Sequence, residues 1–481
     1  MPGATTNHLR PLGSTGLACH PLGFGCYRIM EGSAQHEAAL RKYLDCGGNL
    51  IDTSANYGDG RSEVLVGRVL QGVLKDYARD RVIVVTKGGY IQGRNMTLAR
   101  RREFPEVVHY GDGIWHSIHP DFLETQITMS LERMQLGMAD VYLLHNPEYF
   151  LEDQAHHKPV GDAERDEFYR RVREAFRYLE EEVAKGRIRW YGISSNNFPA
   201  PASAPTRTSV ERCWQAAESV SPNHHFRVVQ LPLNLYESGG ALEANNGGKT
   251  VLGFAKEKGL GVLLNRPLNA IFSNRMIRLA DFLPVGQPSP GVEQLQKILE
   301  PVWQMEKELE QQHNIPLLYG EGKGIAHYLG TIVPQVKAPA QWEQAFYEYV
   351  VMPIERWATE CQQLYGGQPE WDTWWKGFAQ TLPAVFEEIA RYVGSSQQAV
   401  SDAVRAQAER AGYPATGESL SRMANNVLLH LDGVSCVLVG MRRPEYVEDT
   451  MGTVALDPVD SLAILSRFRQ MVAAESKATI Q

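Results

Sequence analysis

Asn49-Leu-Ile-Asp52-Thr-Ser-Ala-Asn-Tyr57-Gly58 decides the fold of this 481-residue chain. The stretch reads as a buried strand running into a polar turn, with a carboxylate and a phenol delivered together at the strand's exit. Two further segments have the same form. Val82-Ile-Val-Val-Thr-Lys87 ends in a lysine, and Val141-Tyr-Leu-Leu-His145 ends in a histidine. If these strands are successive members of one barrel, Asp52, Tyr57, Lys87 and His145 stand together on its rim as a proton-donating site.

Working outward, short apolar strands are expected at 22–25, 49–53, 82–86, 140–144, 188–194, 228–231 and 261–264, with an eighth at 435–440. Amphipathic helices are expected between them at 35–46, 62–74, 121–136, 164–185, 210–219 and 250–258. Four of these helices stop at Gly47, Gly137, Gly186 and Gly259, where a left-handed residue would end them. Eight strand–helix units point to an α/β (β/α)8 TIM barrel. A doubly wound sheet is the alternative, but no GxGxxG follows the first strand. Ahead of the first strand, Leu12-Gly-Ser-Thr-Gly-Leu17 reads as a tight β-hairpin that plugs the bottom of the barrel.

The repeat is interrupted between strands seven and eight. Residues 271–382 form an excursion far longer than an ordinary loop of ~2–6 residues. It is rich in aromatic residues, among them Trp303, Trp342, Trp357, Trp371, Trp374 and Trp375. Its pattern is helical at 292–312 and 342–365, with helices resuming at 384–393, 397–411 and 420–431. The domain reading is therefore 1–270 as the first part of the barrel and 271–382 as a large helical insertion. Residues 383–481 complete the barrel and end in a C-terminal helix. The aromatics are expected to form the insertion's own core. A lid or partner-binding surface is the sharper alternative, because an insertion after a strand's C-terminal end emerges on a barrel's active-site face.

Composition limits the partners. Hydrophobic residues make up 43% of the chain and charged residues 22%, enough for a globular core. The net charge of −8 argues against nucleic acid as a partner. No apolar run approaches the roughly 20 residues that span a bilayer. The first ten residues lack the apolar stretch of a secretory signal, and six cysteines are scattered without CxxC spacing, so a cytoplasmic location is expected and no metal site is. The doublets His156-His157 and His224-His225 read as surface histidines, since adjacent histidines seldom converge on one ion.

Taken one at a time, Asp52, Tyr57, Lys87 and His145 have ordinary readings: a turn carboxylate, a packed ring, a solvated lysine, a buried histidine. Their order and context resemble the aldo-keto reductases, over roughly residues 10–270 and 383–455, with the galactose dehydrogenase-like branch nearest in the flanking motifs. Asp52-Thr-Ser-Ala-Asn-Tyr57-Gly, Thr86-Lys87-Gly and Leu144-His145-Asn-Pro match the family's four catalytic positions. The resemblance implies hydride transfer between a nicotinamide and a carbonyl or alcohol, with Tyr57 as proton donor. Reduction builds alkoxide character on the carbonyl oxygen, so a donor must lie within hydrogen-bond reach. A free phenol, with a pKa near ~10, is a weak acid. Lys87 is expected to lower it, Asp52 to anchor the lysine, and His145 to donate a second hydrogen bond and orient the substrate.

None of these side chains carries hydride, so a nicotinamide cofactor is required. The resemblance implies that Ser194 and Gln230 hold its carboxamide, with Ser195 or Asn196 sharing the task. Gly25, Cys26 and Tyr27 approach the ring, with Asp52 beneath. Asn265 stands where many members keep a stacking aromatic, and Arg266 reaches toward the pyrophosphate. The adenosine end falls to Gly440, Met441, Arg442, Arg443, Tyr446 and Asp449, at a helix starting near Pro444 whose N-terminus favours phosphate. Arg442 or Arg443 pairing with a 2′-phosphate favours NADP(H), with NAD(H) as the alternative. Tyr446 departs from the family's usual phosphate-binding arginine.

The substrate side is expected at Tyr27, Tyr57, Tyr90, Trp115 and His145, with Tyr90 and Trp115 in a long segment after strand three. The substrate class is a small carbonyl or alcohol: an aldehyde, ketone or sugar. A cofactor-binding regulatory protein that docks partners through the helical excursion is the reading from another class. Physiological direction and oligomeric state are not legible.

Overall fold

The computed structural model describes residues 8–478 except 74, 76, 77, 274, 284–291, 321, 337, 338 and 396. Residues 1–7, and the last residue of the helix expected at 62–74, lie outside these. The chain divides into two compact units. One comprises Met1–Leu279, Gln407–Ala415 and Ser421–Gln481, the other Ala280–Ala406 and Thr416–Leu420.

The first unit is a closed parallel barrel. Its strands are β1 (Leu22–Gly25), β2 (Leu50–Asp52), β3 (Ile83–Gly88), β4 (Ala139–His145), β5 (Ile188–Ser194), β6 (Phe226–Pro232), β7 (Gly261–Asn265) and β8 (Cys436–Val439). They pair in chain order, and β8 closes on β1. Around them lie α1 (Ala34–Asp45), α2 (Arg61–Val73), α3 (Pro120–Met134), α4 (Asp162–Ala184), α5 (Val210–Val220) and α6 (Val251–Glu257), then α7 (Pro444–Met451) and α8 (Ser461–Ala478) after β8. Ser33, Ser209 and Thr250 cap α1, α5 and α6 by accepting backbone N–H bonds.

The barrel interior follows the period-two alternation of strand side chains. Leu50, Ile83, Val85, Val141, Leu143, Val228, Leu263, Cys436 and Leu438 form one buried apolar cluster, joined by Leu12 and Cys19 of the N-terminal hairpin. That hairpin pairs Arg10–Pro11 with Ala18–Cys19, so Leu12 closes the barrel's bottom. Continuing the same alternation upward, Leu50 gives Asp52, Val85 gives Lys87, Leu143 gives His145, Val228 gives Gln230 and Leu263 gives Asn265. Apolar residues fill the lower layers, and the last inward position of β2 to β7 is polar, whereas the inner face of β8 ends on Leu438.

Three expectations change. Gly47, Gly186 and Gly259 have positive φ as expected, but α3 stops at Met134 and the left-handed residue there is Gln135, with φ 54°; Gly137 is not used. The Gln135 amide bonds back to Leu131 and Glu132 carbonyls, so the helix is already closed before the glycine. Secondly, the segment after β3 is not an open loop. Tyr90–Ile91, Ile114–His116 and Val108–Gly111 form a three-stranded antiparallel sheet, backed by a small core of Ile91, Met96, Phe104 and Phe122.

Thirdly, the excursion does not begin at 271 or end at 382. Asn269–Phe272 and Arg275–Arg278 form a hairpin within the barrel unit, and the helical unit opens at Ala280. At its far end the helix Pro369–Ser395 runs on through Pro383, so no boundary falls at 382 and 384–393 is not a separate helix. The helical unit has its own core. Trp342, Trp357, Trp371, Trp374 and Phe378 are buried with Leu299, Val302, Leu309, Leu329 and Ile389. Three of these indoles are satisfied inside it: Trp357 donates to the Pro316 carbonyl at 3.2 Å, Trp374 to the Met305 carbonyl at 2.7 Å and Trp371 to Gln362 Oε1 at 2.8 Å. Asp281 accepts two bonds from Arg405 at 2.7 Å and one from the Leu420 amide, fastening the unit's first residues to its last. Among the described residues no helix is long and apolar enough to cross a membrane.

Candidate active site

The polar layer at the strand ends is one hydrogen-bonded system. Lys87, fully buried, uses all three ammonium protons: on Asp52 Oδ2 at 2.7 Å, the Thr53 carbonyl at 3.0 Å and the Tyr57 phenol oxygen at 3.2 Å. The other Asp52 oxygen accepts from Gln230 Nε2 at 2.8 Å. Gln230 Oε1 in turn accepts from Ser194 Oγ at 3.0 Å and Asn265 Nδ2 at 3.3 Å. β2 delivers Asp52, β3 Lys87, β5 Ser194, β6 Gln230 and β7 Asn265, while Tyr57 stands on the turn that follows β2.

Burial and charge compete here. Burial pushes the Asp52 carboxyl up, opposed by the Lys87 ammonium and the Gln230 amide. Burial alone would lower Lys87, but Asp52 and Tyr57 outweigh it and hold it above the ordinary lysine value. The pair therefore stays ionised. Burial pushes the Tyr57 phenol up to about 12 although Lys87 pulls it down. Lys87 acts on the phenol in the direction the sequence reading expects, through its charge and its hydrogen bond, and burial opposes it more strongly. Because the phenol oxygen accepts from Lys87, its own proton remains free to be donated, and among the described residues no group takes it.

His145 adjoins this set. Its ring lies edge-on to Tyr57 at 6.0 Å and to Tyr90 at 4.8 Å. Its Nδ1 is 3.1 Å from Ser54 Oγ. Burial, with Lys87 and His116 adding to it, holds the imidazole well below its ordinary pKa, so it is neutral. His116 Nε2 lies 2.7 Å from the His145 carbonyl, and a carbonyl only accepts, so that nitrogen carries the His116 proton. Tyr90 is buried, accepting from Asn146 Nδ2 at 2.7 Å.

The remaining expected residues divide. Tyr27 is 68% exposed, its ring edge-on to Tyr57 at 5.2 Å. Gly25 ends β1 beside the Val439 carbonyl, while the Cys26 thiol is fully buried and directed to the Phe24 carbonyl. Ser194 points inward, and Ser195, next in the alternation, turns its hydroxyl to the Asn197 amide. Arg266, in the left-handed region at φ 54°, is ion-paired with Glu237 at 2.6 Å. Gly440 faces open space, Met441 is buried, and Arg442 is half-buried. Arg443 stands over the half-exposed Tyr446 ring at 5.8 Å. Asp449 is occupied by Ser421 and by Arg422 at 3.3 Å. Trp115 is not brought to Tyr57: it packs on the small core after β3, with His109 as its ring neighbour.

Sequence reading assigned no role to Ser54, Asn56, Tyr149 or Glu148. Tyr149 touches both Tyr90 and Tyr110 edge-on, at 5.3 and 4.7 Å. Glu148 is buried under β5, one oxygen on the Asn196 amide at 2.7 Å and the other without a partner. No spacing in the sequence marks either, although Ser54 and Asn56 lie inside the motif itself. His225 pairs with Glu180 at 2.7 Å, while His224, expected at the surface, is buried against Trp214; His156 packs on the Tyr110 ring at 5.2 Å. Among the described residues no group of three or more His, Cys, Asp or Glu is placed to hold a metal ion.

A sequence model of the Aldo/keto reductase family matches residues 21–269, more than half of the chain. Among curated relatives, the chain is 31% identical over 144 residues to an NADH-specific methylglyoxal reductase of Escherichia coli, covering 28% of this chain and 40% of that protein. It is 27% identical over 195 residues to a 6-dehydroglucose reductase of Novosphingobium aromaticivorans, covering 39% and 51%. To L-galactose dehydrogenase of Arabidopsis thaliana it is 30% identical over 156 residues, covering 31% and 41%. The matches thus span about half or less of these relatives' length. Among solved structures, a holo-form aldo-keto reductase from Bacillus halodurans superposes with a TM-score of 0.47 at 15% identity, covering 96% of this chain and 95% of that one. With the family's sequence pattern running from the first barrel strand to just past the seventh, this chain belongs to the aldo/keto reductase family.

Proposed function

We propose that the chain is an NAD(P)H-dependent oxidoreductase that interconverts a carbonyl and an alcohol, with Tyr57 as general acid and base. The observation that carries this reading is the buried Lys87 ammonium, held by Asp52 at 2.7 Å and set on the Tyr57 oxygen at 3.2 Å. A proton leaving Tyr57 exposes a phenolate whose charge forms against that ammonium, which is electrostatic stabilisation where charge develops. Asp52 keeps Lys87 charged and aimed, and His145 fixes the reacting oxygen from the opposite side. Run backwards, the phenolate takes the proton of an alcohol.

A nicotinamide bound on this rim would supply or accept the hydride. The residues present suit it. Asn265 Oδ1 is buried without a partner, an acceptor matched to a carboxamide N–H, beside Ser194 and Gln230. Gly440 leaves the backbone open at the far end, where Arg442 and Arg443 precede α7. Two guanidinium groups at a helix start favour NADP(H), with NAD(H) as the second cofactor. The names of the relatives describe methylglyoxal and sugar chemistry, which supports an aldehyde, ketone or sugar as substrate.

The test is a fluorescence titration with NADPH and NADH, followed by turnover on a panel of aldehydes, ketones and sugars. NADPH is expected to bind more tightly, and Arg443→Ala to weaken it by about tenfold while sparing NADH, the loss of one charge-assisted contact. Absence of hydride transfer with either cofactor would overturn the reading.

A further inference from the structure

The turn that carries Tyr57 continues through Gly58, Asp59 and Gly60, all in the left-handed region at φ 56°, 57° and 85°. Glycine adopts that region freely, but for Asp59 it is an uncommon conformation. Gly58 and Gly60 have no side chain, so within these three residues only Asp59 can tie the turn to another element through one. Both of its oxygens are used on Arg94. Oδ1 accepts the Arg94 backbone N–H at 3.0 Å, and Oδ2 lies 3.4 Å from the guanidinium. The approach is shaped from the other side as well. A Cβ on Gly93 would stand 2.3 Å from Asp59 Oδ1, so glycine there is what lets the carboxylate in. Arg94 opens the short helix Arg94–Arg101, whose N-cap Gly93 makes no side-chain bond, and Asp59 supplies that bond from outside. Four residues before Arg94, the Tyr90 ring lies edge-on to His145 at 4.8 Å. The segment Tyr90–Arg94 therefore touches His145 at one end and the Tyr57 turn at the other.

We propose that Asp59 is a positioning residue that clips the segment after β3 onto the turn of Tyr57, fixing the phenol where Lys87 and the reacting oxygen meet it. This deepens the reading of Tyr57 as proton donor and rests on it. Lys87 donates to the Tyr57 oxygen at 3.2 Å, the long end of a hydrogen bond, so a small movement of the turn breaks the contact. Without the clip, the left-handed turn has no side chain holding it to the segment after β3. A misplacement of about 1 Å at a reacting group costs about 100-fold in rate. The bond that matters is the one from the backbone amide. The Arg94 side chain is 77% exposed, and an exposed ion pair contributes little.

Two substitutions remove the clip from opposite sides. Asp59→Gly deletes the carboxylate and suits the left-handed backbone, so the turn still forms. Arg94→Pro deletes the N–H at the first helical position, where proline is well tolerated. Each is expected to slow single-turnover hydride transfer from NADPH at least about tenfold, with NADPH affinity within about twofold of wild type. Because both break one bond, the double variant is expected to be no slower than the slower single. Asp59→Asn, which keeps an acceptor oxygen, and Arg94→Ala, which keeps the N–H, stay within about twofold of the wild-type rate. A second readout needs no turnover: tyrosines of the full-length protein labelled with carbon-13 at Cζ, the Tyr57 signal identified by its loss in Tyr57→Phe. That signal is expected to move or broaden in Asp59→Gly and Arg94→Pro, and to keep its wild-type position in Asp59→Asn and Arg94→Ala. An unmoved Tyr57 signal in Asp59→Gly overturns the proposal, as do losses in the two single variants that multiply in the double. Failure of the oxidoreductase reading is distinct: wild type then transfers no hydride, while the tyrosine spectra still report on the clip.

Discussion

Tyr57 combines a proton it can donate with a neighbour that stabilises what remains. Its phenol sits at about 12 because burial outweighs Lys87, and this has a signed consequence for pH. Reduction consumes the protonated form, which is fully populated through neutrality, so the Tyr57 contribution to reduction is flat and falls only as pH approaches about 12. Oxidation needs the phenolate, so its rate is expected to climb about tenfold per pH unit between about pH 6 and 9. Paired pH–rate profiles for the two directions check this. An oxidation rate that levels off below about pH 9 would mean the phenol is more acidic than this geometry makes it.

At the scale of the strands, one periodicity does two jobs. Alternation places Ile83 and Val85 in the apolar bottom of the barrel and carries Lys87 to the same inner face one step higher. This is why so much of the site was legible: an apolar run with a polar last inward residue names both the strand and the side chain it presents. Ser54 was harder to read although it stands two residues from Asp52, because its partners His145 and Asn56 are set by β4 and by the turn, not by spacing. Glu148 likewise has no sequence signal. Burial raises its carboxyl from an ordinary 4.5 to about 8, and one of its oxygens has no partner. A raised carboxyl binds its proton more tightly when folded, so its contribution to stability is greatest below about pH 4.5 and is lost as pH rises to about 8. Glu148→Gln removes that dependence. Its melting temperature relative to wild type is expected to rise from pH 5 to pH 8 and then level off, measured by thermal circular dichroism. A difference independent of pH would show that Glu148 does not titrate in this range.

Across the whole molecule, the barrel and the helical unit are each closed around their own core. The tryptophan-rich sequence announced the second core, but its limits were misread. The hairpin Asn269–Phe272 with Arg275–Arg278 continues the barrel unit past 271, and Pro383 sits inside a helix that does not stop for it. Trp371 is fully buried, stacked near Trp374 and Trp375 and bonded to Gln362. Trp371→Ala is expected to cost the helical unit about 3–5 kcal/mol while leaving NADPH affinity unchanged. Hydrogen exchange read separately over the two units, with an NADPH titration, checks both parts. Equal loss of protection in the barrel would contradict the independence of the cores. The central claim, that Tyr57 delivers the proton, is tested most directly by Tyr57→Phe in single turnover with bound NADPH and an aldehyde that the wild type reduces. The account predicts NADPH binding within about twofold of wild type and a hydride-transfer rate lower by at least about 100-fold, the scale of a positioned general acid; reduction at the wild-type rate would contradict it.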